Sequence, residues 1–168
     1  MIMQAEVKKA LNKQINMEYY SSYIYLSMAA DFFNKNLPGF GTWMLLQSGE
    51  ETGHGMKIFK FLSECGEQVE LEAIDAPKKT WKTPLEAFQD AYAHEQKVTK
   101  SINMIMDLAQ EKKDHATAIF LQWFVSEQVE EEAHANEIVK KLELIQDNTG
   151  VLLMLDKELG QRGAAGSR

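Results

Sequence analysis

Cysteine, proline and glycine are all scarce in this chain. Its 168 residues include one cysteine, three prolines and ten glycines. The single thiol, Cys65, cannot form a disulfide or a paired-cysteine metal motif within one chain, so we expect a reducing compartment. Too few turn-forming residues are present for an all-β protein built of many short strands. These absences favour a helical protein.

Long apolar runs are also missing. The longest, at 151–155, is far short of the roughly 20 residues that span a bilayer, and the N-terminus shows no basic-then-apolar signal. We therefore expect a soluble, cytoplasmic protein with no membrane partner. Acidic residues outnumber basic ones by 25 to 18, and the formal net charge is −7. This balance disfavours nucleic-acid binding and favours the attraction of cations.

Apolar residues recur at alternating spacings of three and four along four long stretches, a pattern that predicts helices facing a common core. The first helix ends at the 34–39 segment, and Thr83 and Asp114 are the predicted N-caps of the third and fourth. A short fifth helix is expected at about 150–159. The predicted fold is all-α, a four-helix bundle with a long crossover between the second and third helices and a short C-terminal fifth helix.

The connection at 66–82 is too long for a tight hairpin. Fully extended at roughly 3.3 Å per residue, it reaches about 55 Å, enough to run the length of a helix of about 28 residues. The alternating apolar and acidic residues at 69–73 predict an extended segment. This segment either pairs with the edge of another chain or lies alone on its own subunit. Residues 1–160 are predicted to form one domain, and 161–168 a disordered tail.

Ionisable side chains interrupt each of the four apolar seams where a leucine would be expected. They are Glu18, Glu51 with His54, Glu95 and Glu131. Counted from the turn that joins each pair of helices, all five lie about 14 to 19 residues away, so antiparallel helices bring them to one height. Burying unpaired charges is very costly. Either these faces are solvated, or a ligand compensates the charges.

Two divalent cations are the natural compensation for four carboxylates and one imidazole inside a bundle. Glu51 and His54 stand three residues apart on one helical face, and Glu51 is free to bridge two ions. Donors that are mostly carboxylates, with open positions, favour iron or manganese over structural zinc, which prefers closed sites rich in cysteine or histidine. The sequence therefore predicts a two-metal centre.

Four segments around these residues carry a shared pattern: LNKQINME (11–18), SSYIYLSM (21–28), EETGH (50–54) and WFVSEQVEEE (123–132). The pattern resembles the non-haem ferritins of bacteria and archaea over about residues 3–160. This resemblance implies a ferritin-like four-helix bundle and a ferroxidase centre. One iron is held by Glu18, Glu51 and His54, and a second by Glu51, Glu95 and Glu131.

The resemblance implies further site residues. Gln128 is expected as a hydrogen-bonding neighbour of the two metals, and Tyr25 beside them. A third iron position is implied near Glu131, formed with Glu50, Glu127 and Glu130. On a helical wheel Glu50 lies about 100° from Glu51, so these carboxylates flank the seam and do not lie on it.

The resemblance also implies a function, iron storage. Fe²⁺ is oxidised to Fe³⁺ with O₂ or H₂O₂, and ferric mineral is deposited inside a hollow homo-oligomeric shell of 24 subunits. Thr52 stands where haem-binding relatives carry a methionine, so no haem is expected. The alternative is a di-iron oxygenase or peroxidase that stores no iron. A helical interaction bundle of the cytokine type leaves the seam carboxylates unexplained.

Other residues with chemical potential are less well placed. Trp123 is a candidate electron donor, although an aromatic at helical spacing is more often part of a core. His94 and His115 are expected on the surface. His134 lies three residues after Glu131, but the apolar register of the fourth helix leaves it off the central line, and we do not expect it to be a ligand.

Overall fold

The computed structural model describes residues 3–163 and contains five helices. They are α1 (Ala5–Asn34), α2 (Pro38–Glu64), α3 (Pro84–Glu111), α4 (His115–Ile145) and α5 (Thr149–Leu159). No strand occurs within this range, and none of the helices described there is long and apolar enough to cross a membrane. The predicted all-α architecture of four long helices and a short fifth is confirmed.

Local sequence signals set the starts of three helices. The side-chain oxygens of Thr83, Asp114 and Asn148 each accept a hydrogen bond from the backbone N–H three residues ahead. These bonds satisfy N–H groups that have no partner within α3, α4 and α5. Asn36 and Lys113, in the turns after α1 and α3, adopt positive φ values of 57° and 55°.

The long helices pack as two pairs. α1 packs chiefly against α2, and α3 against α4. Short turns join the partners within each pair, whereas residues 65–83 connect the end of α2 to the start of α3. This arrangement places the middles of all four long helices in one region of the bundle.

The crossover is held against α1 by hydrogen bonds to two asparagine side chains. Asn16 Nδ2 donates to the carbonyl oxygen of Ala73 at 3.0 Å, and Asn12 Oδ1 accepts from Glu70 N at 2.8 Å. Two asparagines on α1 thus bond to backbone groups of the segment at 69–73. Further along, the buried indole of Trp81 donates to Asp90 on α3 at 2.8 Å.

The core is divided into two apolar clusters with a polar layer between them. One cluster contains Leu11, Ile15, Ile58, Leu62, Val98, Ile102, Leu121 and Phe124. The other contains Tyr25, Phe32, Phe40, Met44, Phe88, Ala91, Ile138 and Leu142. On every long helix, most of the buried residues between the two clusters are polar or charged. The polar layer is therefore fixed from both sides by close-packed apolar side chains.

α5 packs against the start of α2. Asp156 Oδ1 accepts a hydrogen bond from Phe40 N at 2.9 Å, and Leu155 and Leu159 are buried in the adjoining cluster. Gly39 permits the close approach, because a Cβ there would lie 1.6 Å from the carbonyl oxygen of Asp156. Beyond α5, residues 161–163 form a turn. The rest of the predicted tail, 164–168, lies outside the described residues.

Two glycines of α2 offer a matched test of packing. Gly49→Ala should raise the free energy of unfolding by about 0.5–1 kcal/mol, because a Cβ there meets open space and alanine is the better helix former. Gly39→Ala should lower it, because the new Cβ clashes with α5 backbone. Urea denaturation of the metal-free protein, followed by circular dichroism at one fixed protein concentration, measures the free energy of unfolding of both variants. No gain from Gly49→Ala, or full tolerance of Gly39→Ala, would contradict this packing.

Candidate metal centre

Five ionisable side chains from four helices meet in the polar layer. α1 contributes Glu18, α2 contributes Glu51 and His54, α3 contributes Glu95, and α4 contributes Glu131. None is more than 5% exposed. Each occupies a position on its helix that continues the buried apolar seam, so packing of the two apolar clusters carries these groups inward.

Their ligand atoms form two metal-sized groups that share one residue. Oxygens of Glu18 and Glu51 and a ring nitrogen of His54 lie within 4.8 Å of one another, as do oxygens of Glu51, Glu95 and Glu131. Within the first group, Glu51 Oε2 is 3.2 Å from His54 Nδ1. Three ligands per group leave open positions for water or oxidant, an arrangement suited to a reactive ion.

Burial and mutual repulsion disfavour the ionised carboxylates in the absence of a cation. Burial, and next the charge of Glu51, raise the pKa of Glu18 and of Glu95, and raise the pKa of Glu131 to about 7. Burial opposes protonation of His54, but the hydrogen bond and charge of Glu51 outweigh it and raise the pKa of His54 to about 9. Bound divalent cations would replace these protons.

One atom of the layer lacks a hydrogen-bond partner. Gln14 Nε2 donates to Glu18 Oε1 at 2.8 Å, yet Glu18 Oε2 is buried and unpartnered among residues 3–163. Leaving a buried carboxylate oxygen unsatisfied is costly. Glu18 belongs to the first ligand group, and a bound cation is the kind of partner that this oxygen lacks.

The sequence is similar to proteins of a known family. The Ferritin family model, described as a ferritin-like domain, matches residues 8–145. The bacterial non-heme ferritin of Staphylococcus haemolyticus is 38% identical over 161 residues, which cover 96% of this chain and 97% of the relative. That of Campylobacter jejuni is 39% identical over 156 residues, 93% of each chain.

The chain belongs to the ferritin family.

Solved structures agree with this membership. An open pore ferritin from the hyperthermophilic archaeon Archaeoglobus fulgidus superposes with a TM-score of 0.94 at 50% identity, covering 95% of this chain and 98% of that one. A humanized archaeal ferritin gives 0.94 at 49% identity, with the same coverage. Family membership supports a role in iron storage.

Neutral donors hold the carboxylates of this ferritin. Gln128 Nε2 donates to Glu95 Oε2 at 3.1 Å, and the Tyr25 hydroxyl donates to Glu95 Oε1. Burial, and next the charge of Glu95, raise the pKa of Tyr25, so its phenol stays a donor. The structure thus brings Gln128 and Tyr25 beside the ligand groups that the sequence indicated.

Sequence reasoning missed two glutamines of the layer. Gln47 Nε2 donates to Glu51 Oε1 at 3.0 Å and to Glu131 Oε2 at 2.7 Å. Gln14, which donates to Glu18, is itself held by Ser101 Oγ at 2.5 Å. The signal was present in the sequence, because each glutamine lies four residues before the glutamate on its own helix, the spacing of facing side chains.

The carboxylates beside the seam do not form one group. Glu127 is half-buried and joins His54 and Glu131 within 4.8 Å, with 4.0 Å between Glu127 Oε1 and His54 Nε2. Glu130 is exposed, and Glu50 is exposed and pairs with Arg162. The metal-sized group found around Glu127 in the described chain therefore contains His54 in place of Glu50 and Glu130.

His94, His134 and Trp123 differ in how close they lie to the polar layer. The prediction that His94 lies on the surface is wrong: it is 7% exposed, and its Nε2 is 2.7 Å from Ser21 Oγ. His94 precedes the inward-facing Glu95 and turns toward α1. His134 is exposed and outside the ligand groups found among residues 3–163. The Trp123 ring contacts His54 edge-on at 5.4 Å between centroids.

His54 and His134 form a matched pair, since each follows a glutamate by three residues. His54→Ala should remove tight binding of one Fe²⁺ per subunit, because it deletes the nitrogen of the first ligand group. His134→Ala should leave the binding stoichiometry unchanged. Anaerobic isothermal titration calorimetry with Fe²⁺ measures both. Loss of a bound ion in His134→Ala, or full stoichiometry in His54→Ala, would contradict the assignment.

Proposed function

We propose that this ferritin is a ferroxidase that stores iron, oxidising Fe²⁺ in the buried polar layer and depositing the ferric product in a shell of identical chains. The observation that carries the proposal is the pair of three-ligand groups sharing Glu51. Iron is the substrate of this site. Glu18, Glu51 and His54 take one ion, and Glu51, Glu95 and Glu131 take the other.

The shared carboxylate explains why two ions react together. Two Fe²⁺ ions held on either side of Glu51 each give one electron to O₂, which leaves with two protons as H₂O₂. With H₂O₂ as oxidant, two electrons and two protons yield two waters. Tyr25 and Gln128 keep Glu95 oriented through this change by donating to its two oxygens. Carboxylate donors favour the harder Fe³⁺ product.

The ferric product must leave the layer to be stored. Glu127 lies near both His54 and Glu131, and Glu50 and Glu130 are exposed carboxylates on α2 and α4. We propose that Glu127 and Glu131 form the third iron position and that Glu50 and Glu130 help direct Fe³⁺ away from the oxidation site. Hydrolysis of each Fe³⁺ to ferric oxide-hydroxide then releases three protons.

Exposed apolar side chains support assembly of copies of this chain. On α5, Val151, Leu153 and Met154 are 42%, 53% and 72% exposed. Other large apolar side chains are exposed on α1 and α2, namely Tyr23, Leu26, Leu45 and Leu46. Patches of this kind mark protein contacts. We propose a homo-oligomeric shell of 24 subunits, and no haem, because Thr52 offers a hydroxyl bonded to Ser22 at 2.9 Å.

Loading with Fe²⁺ in air tests the function as a whole. The protein should oxidise the iron within seconds and retain far more ions per subunit than the two-ion centre can hold. Light scattering on the same sample should find a particle of many subunits. Oxidation without retention would favour an oxygenase or peroxidase, and absence of oxidation would contradict the proposal.

The outer carboxylates should govern transfer and not initial binding. The triple variant Glu50→Gln, Glu127→Gln and Glu130→Gln should still bind about two Fe²⁺ per subunit without oxygen, since the shared-Glu51 groups remain intact. Its mineral formation, followed by absorbance after repeated Fe²⁺ additions, should be slower than in wild type. Collapse of the two-ion stoichiometry in this variant would contradict a separate third position.

A further inference from the structure

Arg162, just beyond α5, turns back onto α2. Its Nη1 donates to Gln47 Oε1 at 2.9 Å, and its Nη2 donates to Glu50 Oε2 at 2.6 Å. The guanidinium also stacks over Trp43, 4.5 Å from the ring centroid. The side chain is 25% exposed. A residue from the predicted tail is therefore held at three points on the helix that supplies Glu51.

Gln47 lies between this guanidinium and the metal centre. It is fully buried, and its amide nitrogen donates to both Glu51 and Glu131. Metal-bound carboxylates accept hydrogen bonds and cannot donate them, whereas a guanidinium can only donate. Only one orientation of the Gln47 amide satisfies both sides, with nitrogen toward the carboxylates and oxygen toward Arg162. The reversed amide would place its oxygen against the carboxylate oxygens and its nitrogen against the guanidinium nitrogen of Arg162.

We propose that Arg162 is a positioning residue of the iron centre, acting through Gln47. By holding the amide oxygen, Arg162 fixes the amide nitrogen between Glu51 and Glu131. Both carboxylates belong to the second ligand group, and each also belongs to one of the other groups. The inference rests on the proposed function in that these carboxylates bind iron. Partners that orient metal ligands commonly change metal affinity 10- to 100-fold when removed.

The planar fork of arginine suits this task. One guanidinium nitrogen donates to Gln47 and another donates to Glu50, while the face of the guanidinium stacks on the Trp43 ring. A lysine ammonium carries the same charge but lacks the planar fork and its stacking face. The charge-assisted bond to a buried amide oxygen is also stronger than a neutral one.

A double-mutant cycle tests the relay. Arg162→Met, Gln47→Leu and the double variant are compared with wild type, and Lys157→Met on α5 serves as a control for loss of one positive charge. Anaerobic titration with Co²⁺ reports affinity, and the visible absorption of the bound ion reports its ligand geometry. Initial rates of Fe²⁺ oxidation over a range of concentrations separate kcat from KM.

Both single variants should weaken Co²⁺ binding about 10-fold and alter its visible spectrum in the same way. The double variant should match Gln47→Leu alone, because Arg162 has nothing left to orient. Lys157→Met should match wild type. If Arg162→Met perturbs helix content, Arg162→Lys, which keeps the stem and the charge, should still show the altered spectrum and the same lack of additivity.

Two results would overturn the proposal. One is an Arg162→Met protein with the affinity and Co²⁺ spectrum of wild type. The other is a double variant whose loss is the product of the two single losses, which would mean that Arg162 does not act through Gln47. A wild-type protein that binds Co²⁺ but does not oxidise Fe²⁺ contradicts the proposed function instead, and leaves the comparison of Co²⁺ spectra intact.

Discussion

Repulsion among carboxylates buried at the middle of the bundle is the constraint on which the rest of the structure depends. Four glutamates occupy positions where apolar residues would pack, and burial together with the charge of Glu51 raises the pKa of three of them, Glu18, Glu95 and Glu131. Such a layer is stable only with hydrogen-bond donors, protons or cations inside it. The surrounding residues supply the donors, and in the function proposed above Fe²⁺ supplies the cations.

The two apolar clusters on either side fix the geometry of this layer. Each long helix enters the layer from one cluster and leaves into the other, so the backbone positions of the glutamates are set by close packing. Three glutamine amides then fix the side chains of these glutamates by hydrogen bonds. Gln14 donates to Glu18, Gln47 donates to Glu51 and Glu131, and Gln128 donates to Glu95. A rigid set of donors and acceptors of this kind is what a reactive two-ion site needs.

The features predicted from the sequence are those encoded by local pattern. The helices, the caps at Thr83 and Asp114 and the inward glutamates follow from spacing along one helix, and the structure agrees. Contacts between distant segments do not follow from such patterns. The surface prediction for His94 is wrong because this residue packs against α1, where it contacts Ser21, and the path of the crossover depends on Asn16.

Gln47 and Arg162 show the same limit within the site. Gln47 lies at helical spacing from Glu51, but its second bond, to Glu131, exists only after α2 and α4 pack. Arg162 is far from the centre in sequence and reaches Gln47 only because α5 docks on the start of α2, where Gly39 admits the backbone of Asp156. The periodicity of one helix carries no information about such contacts.

The proposed function depends most on two cations sharing Glu51. Anomalous diffraction at the iron absorption edge, from crystals soaked with Fe²⁺ under nitrogen, tests it most directly. We predict two peaks per subunit, one among Glu18, Glu51 and His54 and the other among Glu51, Glu95 and Glu131. A single peak, or none in the buried layer, would contradict it.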